Sequence, residues 1–298
     1  MATLGQALDD ATRQLRAAGS ETARLDAEVL LAFAIGIDRT GVLAHPELEL
    51  SPGHASRLAA AVERRASGEP VAYIRGIKEF YGIVLGVDRR VLIPRPETEL
   101  LVEVGLARLR ARLSGAPRPP DAPPLQVADV ATGSGAVAIA LAVALRRHGQ
   151  LGEVEILATD AWQDALQVAM ENAAAHGVAD RVRFRLADLL PDGESPFDLL
   201  LANLPYVPSA EVPRLPVAAS FEPRAALDGG EDGLVLVRRL IQGLPAWLAP
   251  EGAALLEIGA QQAGAVRDEL ATTLPSWPAT VHADLSGRPR AVEVRRAP

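Results

Sequence analysis

The sequence predicts an α/β fold in which a small all-helical N-terminal domain precedes a seven-stranded, mostly parallel sheet. From residue 125 onward, β-prone runs alternate with helix-prone segments, which is typical of a parallel sheet with helices on both faces. Residues 1–69 instead carry apolar side chains at helical spacing and no strand pattern.

The helical domain is predicted from its apolar periodicity. Leu4, Leu8 and Leu15 fall on one face of a first helix, and residues 55–66 form a last amphipathic helix. Gly68 ends that helix, because glycine is common just beyond a helix terminus. These signals indicate a domain built from short helices.

A linker is predicted between the two domains. Residues 70–96 contain two β-prone runs separated by glycines, the first of which starts at Tyr73, and this pattern predicts a β-hairpin or an extended linker. A helix is expected from near residue 97 to about 113, and the proline-rich stretch 114–124 indicates an exposed loop. The last domain is therefore assigned to residues 97–298.

The alternating region defines the sheet and the place where a ligand would bind. The predicted strands are residues 125–130, 153–159, 181–187, 197–202, 252–258, 279–284 and 291–296, with helices at 136–148, 162–176, 233–248 and 261–274. In open parallel sheets, ligands bind at the carboxyl ends of the strands. Polar residues follow four of these strands, at 129–135, 160, 188 and 203–206.

Composition excludes several classes of protein. The chain has 298 residues, 49% of them hydrophobic, and no cysteine, so disulfides, thiolate metal sites and cysteine nucleophiles are excluded. It contains no apolar run of about 18 residues and no secretory signal, so we expect a cytoplasmic protein without membrane association. The net charge of −8 argues against stable nucleic-acid binding. We find no residue pattern that predicts a metal site.

A glycine loop follows the first strand of the sheet. Gly133 and Gly135 allow the backbone to turn tightly and to approach a ligand closely. With Ala138 they fit the G-x-G-x-x-A form of the dinucleotide fingerprint, and Asp160 lies at a suitable distance downstream. From the loop alone, a nicotinamide-dependent dehydrogenase is therefore an open alternative.

The wider pattern D-x-x-T-G-S-G, which begins at Asp129, resembles the first motif of S-adenosylmethionine-dependent methyltransferases. The resemblance implies that the loop faces the amino-acid part of that cofactor. It also implies that Asp160 accepts hydrogen bonds from the ribose hydroxyls and that Asp188 faces the adenine. The cofactor-binding residues implied in this way are Asp129, Ala131, Thr132, Gly133, Ser134, Gly135, Asp160, Asp188, Leu189 and Asn203.

An Asn-Leu-Pro-Tyr segment, residues 203–206, follows the fourth strand. The side-chain oxygen of Asn203 and the main-chain carbonyl of Leu204 are two acceptors that can hold both N–H bonds of a planar NH₂ group. Pro205 keeps Leu204 extended, and Tyr206 offers a flat apolar face. This segment is similar to the [N/D]-P-P-[Y/F/W] motif of amino methyltransferases, which act on adenine or on protein glutamine.

Longer stretches resemble the PrmC/HemK family of release factor glutamine methyltransferases. The sharpest is PRPETE at 94–99, within a similar segment at 68–104, and LLEIGAQQ at 255–262 also matches. Ala131 and Leu204 depart from the usual Gly and Pro. We expect the small Cβ of Ala131 to be tolerated if the φ of this residue is negative.

The resemblance implies a Rossmann-like class I methyltransferase fold. The implied reaction is methyl transfer from S-adenosylmethionine to the side-chain amide of the glutamine in the Gly-Gly-Gln motif of class I peptide chain release factors. The helical domain, residues 1–69, is implied to help hold the release factor, and nothing in the sequence demands a dimer. A sister group methylates a ribosomal protein, and Leu204 keeps adenine N6 methylation of RNA or DNA open as an alternative.

The residue types indicate how this chemistry proceeds. An amide nitrogen is a poor nucleophile, and no His or Lys lies in the glycine loop or in the segment 203–206, so positioning is expected to be the main contribution. The catalytic and substrate-binding residues assigned on this basis are Asn203, Leu204, Pro205 and Tyr206, with Arg95 and Glu97 as further substrate contacts. Glu97 either lines the entrance to the site or stabilises a helix start, and Arg95 either contacts substrate or pairs with an acid.

Overall fold

The computed structural model describes residues 2–115, 119, 122–194 and 196–297; part of the proline-rich loop predicted at 114–124 lies outside these residues. The chain forms two compact units. We call Met1–Ile77 with Leu215–Phe221 the helical unit, and Lys78–Arg214 with Glu222–Pro298 the sheet unit.

The helical unit contains short helices around its own apolar core. They are α1 (Leu4–Ala17), α2 (Ala23–Ile35), α3 (Arg39–Ala44), α4 (Pro52–Ala66) and α5 (Val71–Arg75). Thr3 and Gln6 form a capping box at the start of α1, and the Ser51 side chain caps α4 with Pro52 at its first position. Leu15, Leu30 and Leu31 are fully buried in the core of the unit.

The hairpin is shorter than predicted. Strands β1 (Ile77–Phe80) and β2 (Ile83–Gly86) pair with each other, whereas Tyr73 lies in helix α5, so the β-prone run that starts at Tyr73 is helical. Tyr81 and Gly82 both have positive φ, of 46° and 70°, as a tight two-residue hairpin turn requires.

The division between the units falls after Ile77, inside the segment 70–96 that was predicted as a separate linker. Phe80, Ile83 and Leu85 are buried in the core of the sheet unit. Because burial of these side chains joins the hairpin to that core, most of the linker is part of the sheet unit.

The described residues of the sheet unit form a seven-stranded sheet in the order β5-β4-β3-β6-β7-β9-β8. The strands are β3 (Leu125–Val130), β4 (Val154–Asp160), β5 (Val182–Leu186), β6 (Phe197–Ala202), β7 (Leu248–Glu257), β8 (Ala279–Ala283) and β9 (Pro289–Arg295). The first five strands in this spatial order pair in parallel, while β9 is antiparallel to β7 and β8. The prediction of a mostly parallel, Rossmann-like α/β sheet is confirmed.

Helices cover both faces of the sheet. They are α6 (Glu99–Leu113), α7 (Ala136–Arg147), α8 (Gln163–Ala175), α9 (Val235–Trp247) and α10 (Ala263–Thr273). Val127 and Leu199 share one core cluster with α6 and α7, whereas Ala128 and Leu200 share the other with α9 and α10. Successive residues of a strand point to opposite faces, so these strands are buried on both sides.

The strand order reverses at β3, which has β4 on one side and β6 on the other. Such a reversal opens a crevice at the carboxyl ends of the strands, where ligands bind in open α/β sheets. The loops after β3, β4 and β6 therefore meet at one place.

Among the described residues, no helix combines the length and the apolar character that crossing a bilayer requires.

Candidate active site

A cavity of about 460 Å³ lies in the sheet unit at the carboxyl ends of β3, β4 and β6. Most of the residues assigned from the sequence line it: Asp129, Ala131, Thr132, Gly133, Ser134, Asp160, Asp188, Leu189, Asn203, Leu204 and Pro205. Four assigned residues, Gly135, Tyr206, Arg95 and Glu97, are not among its described lining residues. The topology thus brings together three motifs that are separated in the sequence.

Asp129 fixes the glycine loop from inside the sheet unit. One of its carboxylate oxygens accepts hydrogen bonds from the Thr132 hydroxyl at 2.6 Å and from the backbone N–H of Ala138 at 3.1 Å. Asp129 is only 2% exposed, and burial raises the pKa of its carboxyl group to about 7. This side chain therefore connects the loop to the first turn of α7.

Ala131 has a φ of +58°, so the condition under which its Cβ was expected to be tolerated, a negative φ, is not met. The left-handed region is unfavourable for a residue with a Cβ, by roughly 1–2 kcal/mol. Hydrogen bonds on both sides of Ala131 hold the loop in this conformation: the Asp129 carboxylate binds the Thr132 hydroxyl, and the Thr132 N–H donates to Thr159 O at 2.8 Å.

Gly135 serves packing at the start of α7. It has a φ of +80°, and a Cβ there would lie 2.7 Å from the Ile139 side chain and 3.1 Å from that of Ala169. Because neither neighbour has room to move in a packed core, only glycine fits. Gly133, by contrast, lines the cavity, and a Cβ there would have no neighbour within 4 Å.

Asp160 ends β4 and faces the glycine loop. Its two carboxylate oxygens accept hydrogen bonds from the backbone N–H groups of Gly133 at 2.9 Å and Trp162 at 3.0 Å. Burial raises the pKa of this carboxyl group, and the N–H donors oppose that effect. A carboxylate has about four lone-pair sites, so acceptor capacity remains beyond these backbone donors.

Two assigned residues that follow β5, Asp188 and Leu189, differ in character. Asp188 is exposed and forms an ion pair with Arg239 at 2.8 Å. Leu189 is buried with a φ of +68°, and its carbonyl accepts a hydrogen bond of 2.6 Å from the Thr159 hydroxyl. The backbone at this end of the cavity is therefore fixed from β4.

The segment 203–206 is held at both of its ends. The side-chain nitrogen of Asn203 donates to the Thr98 hydroxyl at 3.0 Å, and the side-chain nitrogen of Gln262 donates to the carbonyl of Tyr206 at 2.9 Å. Leu204 is 3% exposed and packs in the apolar core under α9. Burial raises the pKa of the Tyr206 phenol to about 12.

Two glycines let the chain approach this segment closely. A Cβ at Gly229 would lie 2.5 Å from the carbonyl oxygen of Pro205, and a Cβ at Gly233 would overlap the carbonyl oxygen of Tyr206. The bridge between Val207 and Asp228 continues the same contact. The glycine-rich stretch around residue 230 thus supports the segment from behind.

Arg95 and Glu97 both form ion pairs within the sheet unit. Arg95 pairs at 2.6 Å with Glu222, whose side chain is 2% exposed, and Glu97 pairs with Arg290 at 3.3 Å. Of the two alternatives left open for Arg95, the structure contains the pair with an acid. Glu97 lies in the 3₁₀ turn Pro96–Thr98 that precedes α6.

Sequence reasoning gave no role to two residues that contact this site. Thr98 binds the side chain of Asn203, and Glu257, at the end of β7, in turn hydrogen-bonds Thr98. Both lie in stretches that resemble the family, PRPETE and LLEIGAQQ, so the resemblance included these two residues without giving them a function.

The described residues include no group of three or more acidic or histidine side chains that could hold a metal ion.

Two family models match the chain. The model described as the PrmC N-terminal domain matches residues 6–76, and the model described as ribosomal protein L11 methyltransferase (PrmA) matches residues 118–206. The first covers the greater part of the helical unit, and the second covers β3 to β6 with the glycine loop and the segment 203–206.

Curated relatives match most of the chain. The release factor glutamine methyltransferase of Moorella thermoacetica is 44% identical over 89% of this chain and 89% of its own. That of Bradyrhizobium diazoefficiens is 39% identical over 99% of this chain and 96% of its own. Among solved structures, the hMettl16 catalytic domain has a TM-score of 0.54 at 14% identity, covering 83% of each chain, which supports the fold alone.

Proposed function

The chain belongs to the release factor glutamine methyltransferase family, and from this premise we propose its reaction and the roles of its residues. It is an S-adenosylmethionine-dependent protein-glutamine N5-methyltransferase. Its substrate is the glutamine of the Gly-Gly-Gln motif in class I peptide chain release factors. The observation that carries this proposal is a single cavity lined by both the glycine loop and Asn203-Leu204-Pro205.

The residues of the cavity fit S-adenosylmethionine. A volume of about 460 Å³ lies within the roughly 300–1,000 Å³ of small-molecule sites. Asp160 has free acceptor capacity for hydroxyl groups, and Gly133 leaves open space where a side chain would stand. When bound, S-adenosylmethionine supplies a methyl group activated by the positively charged sulfur.

Asn203 and Leu204 act on the substrate amide. The side-chain oxygen of Asn203 and the main-chain carbonyl of Leu204 accept hydrogen bonds from the two N–H bonds of the glutamine side chain. Fixing a poor nucleophile in a reactive orientation is worth on the order of 7–11 kcal/mol in favourable cases. The same two acceptors stabilise the positive charge that develops on the nitrogen.

Other assigned residues support these two. Pro205 keeps Leu204 extended. Tyr206 is not a lining residue but directly follows the lining residue Pro205, and we assign its aromatic face to packing against the planar amide when substrate is bound. Arg95 and Glu97 lie outside the lining of the cavity, and we assign them to its support through their pairs with Glu222 and Arg290. We assign binding of the release factor to the helical domain, residues 1–69, in keeping with the PrmC N-terminal domain match.

Methylation assays with separate acceptors test the proposal. Labelled S-adenosylmethionine is offered with a class I release factor, with the same factor carrying alanine in place of the motif glutamine, and with ribosomal RNA. We expect label in the unchanged factor alone. Label in the alanine variant would point to another residue, and label in RNA alone would favour adenine N6 methylation. Asn203→Ala serves as the inactive enzyme control.

A further inference from the structure

Three side chains from distant parts of the sequence form a hydrogen-bonded chain beside the cavity. The side-chain nitrogen of Asn203 lies 3.0 Å from the hydroxyl oxygen of Thr98, and Thr98 also hydrogen-bonds the carboxyl group of Glu257. Thr98 is 4% exposed and Glu257 is 3% exposed. Water therefore competes little with these bonds, and among the described residues the Oε2 atom of Glu257 has no hydrogen-bond partner.

The direction of the chain follows from the number of protons available. A hydroxyl group has one hydrogen to donate, and an ionised carboxylate can only accept. Where Glu257 is ionised, Thr98 therefore donates to it, and a lone pair of the Thr98 hydroxyl oxygen accepts from Asn203. The nitrogen end of the Asn203 amide is committed to Thr98, which leaves the oxygen end for the cavity that Asn203 lines.

We propose that Thr98 and Glu257 are positioning residues that lock the side-chain amide of Asn203 with its oxygen toward the substrate. The inference rests on the proposed function, because that orientation matters only if Asn203 accepts a hydrogen bond from a substrate NH₂ group. In the flipped orientation, Asn203 would present its own NH₂ group to the substrate NH₂ group. Two donors would then face each other, and substrate could not be held.

Burial of Glu257 restricts the ionised state that this lock needs to pH values above neutral. Burial raises the pKa of Glu257 to about 7, and the charge of Glu97 acts in the same direction, while Arg290 and Arg95 oppose it. The Tyr206 phenol, whose pKa is raised to about 12, stays neutral beside it. Glu257 is therefore mostly ionised above about pH 8, and the lock forms there.

A matched pair of variants separates the hydroxyl from the shape of Thr98. Thr98→Val keeps a branched side chain of similar shape but removes the hydroxyl, and Thr98→Ser keeps the hydroxyl but removes the methyl group. Above about pH 8, we expect Thr98→Val to lower kcat by roughly 10- to 100-fold, and Thr98→Ser by less than about threefold. The Kd for S-adenosylmethionine, measured by calorimetry, should change by less than about twofold in both variants.

The composition of the chain offers a second readout that needs no activity. Asn172 and Asn203 are the only two asparagines, so selective ¹⁵N-asparagine labelling gives two side-chain NH₂ pairs in an NMR spectrum. The Asn172 nitrogen donates to the carbonyls of Gly86 at 3.0 Å and Ser134 at 2.9 Å, so it serves as an internal reference. Asn203→Ala identifies the other pair.

In Thr98→Val we expect the NH₂ signals of Asn203 to shift and these protons to exchange faster with solvent, while the NH₂ signals of Asn172 stay unchanged. In Thr98→Ser the signals of both asparagines should match those of the wild type. An unchanged Asn203 pair in Thr98→Val, or equal losses of kcat in both variants, would overturn the proposal. If the Asn172 pair is also lost, the variant has unfolded and Thr98→Ala replaces it. If the wild type methylates no release factor, the proposed function fails, and the NMR comparison still decides whether the lock exists.

Discussion

The backbone N–H of Gly133 donates a hydrogen bond of 2.9 Å to the carboxylate of Asp160. This bond joins the loop after β3 to the end of β4, although the two residues are 27 positions apart in the sequence. Because the same carboxylate also accepts from Trp162, Asp160 orders the backbone on one side of the cavity before any ligand binds.

Removing the Asn203 side chain should separate chemistry from cofactor binding. In Asn203→Ala we expect kcat for release factor methylation to fall by about 100-fold or more, because one of the two acceptors for the substrate amide is lost. The Kd for S-adenosylmethionine should change little, because the glycine loop and Asp160 remain intact. Calorimetry and a methyl-transfer assay measure the two quantities, and equal losses in both would contradict the assigned role.

Ala131→Gly should stabilise the protein. At a φ of +58°, an alanine is strained by roughly 1–2 kcal/mol. Glycine removes this strain, but it also gives the unfolded chain more conformational freedom, which is a smaller cost. The free energy of unfolding should therefore rise by about 0.5–1 kcal/mol. Denaturant titration measures it. Ala138→Gly in α7 is the control and should lower stability by about 1 kcal/mol or more. A decrease in both variants would mean that position 131 is not strained.

Gly233→Ala should damage the site through a steric overlap. A Cβ at Gly233 would overlap the carbonyl oxygen of Tyr206, whereas a Cβ at Gly193 would meet nothing within 4 Å. The φ angles are similar, +77° and +80°, so Gly193→Ala carries the same backbone strain without the overlap. We expect kcat to fall by more than about tenfold in Gly233→Ala and to stay near wild type in Gly193→Ala. Similar activities in the two variants would show that the close approach is unimportant.

The buried carboxyl group of Asp129 should make stability depend on pH. Its pKa is about 7 in the folded protein and about 3.9 in an unfolded chain. Between these values the folded state holds a proton that the unfolded state has lost, so the free energy of unfolding falls as pH rises from about 4 to about 7.

Asp129→Asn removes this titration while keeping an oxygen that can accept from Thr132 and Ala138. We expect the free energy of unfolding to decline less between about pH 5 and about pH 8 in the variant than in the wild type. Denaturant titrations across this range measure the slope. Glu257, whose pKa is also raised to about 7, accounts for part of the remaining decline. Identical slopes would mean that Asp129 does not titrate in this range.

Much of the fold follows from local patterns in the sequence. The strands β3 and β6 begin and end where the apolar runs predict, and most other boundaries differ by one to three residues. Strand β7 is the exception and starts at Leu248, four residues before the predicted start. The prediction of a strand at Tyr73 is wrong, because β propensity is only a local preference. The residues around Tyr73 form a helix that completes the core of the helical unit, where Ile74 is buried.

The sequence by itself determined the fold class, the order of strands and helices, and the three motifs that must meet at one edge of a parallel sheet. Strand alternation and the ends of strands are local properties, so they can be read from neighbouring residues. Only the tertiary structure decided the positive φ of Ala131 and the bond between Thr98 and Asn203, which are 105 residues apart. Such contacts depend on which side chains face each other across packed elements, and no local pattern encodes that distance.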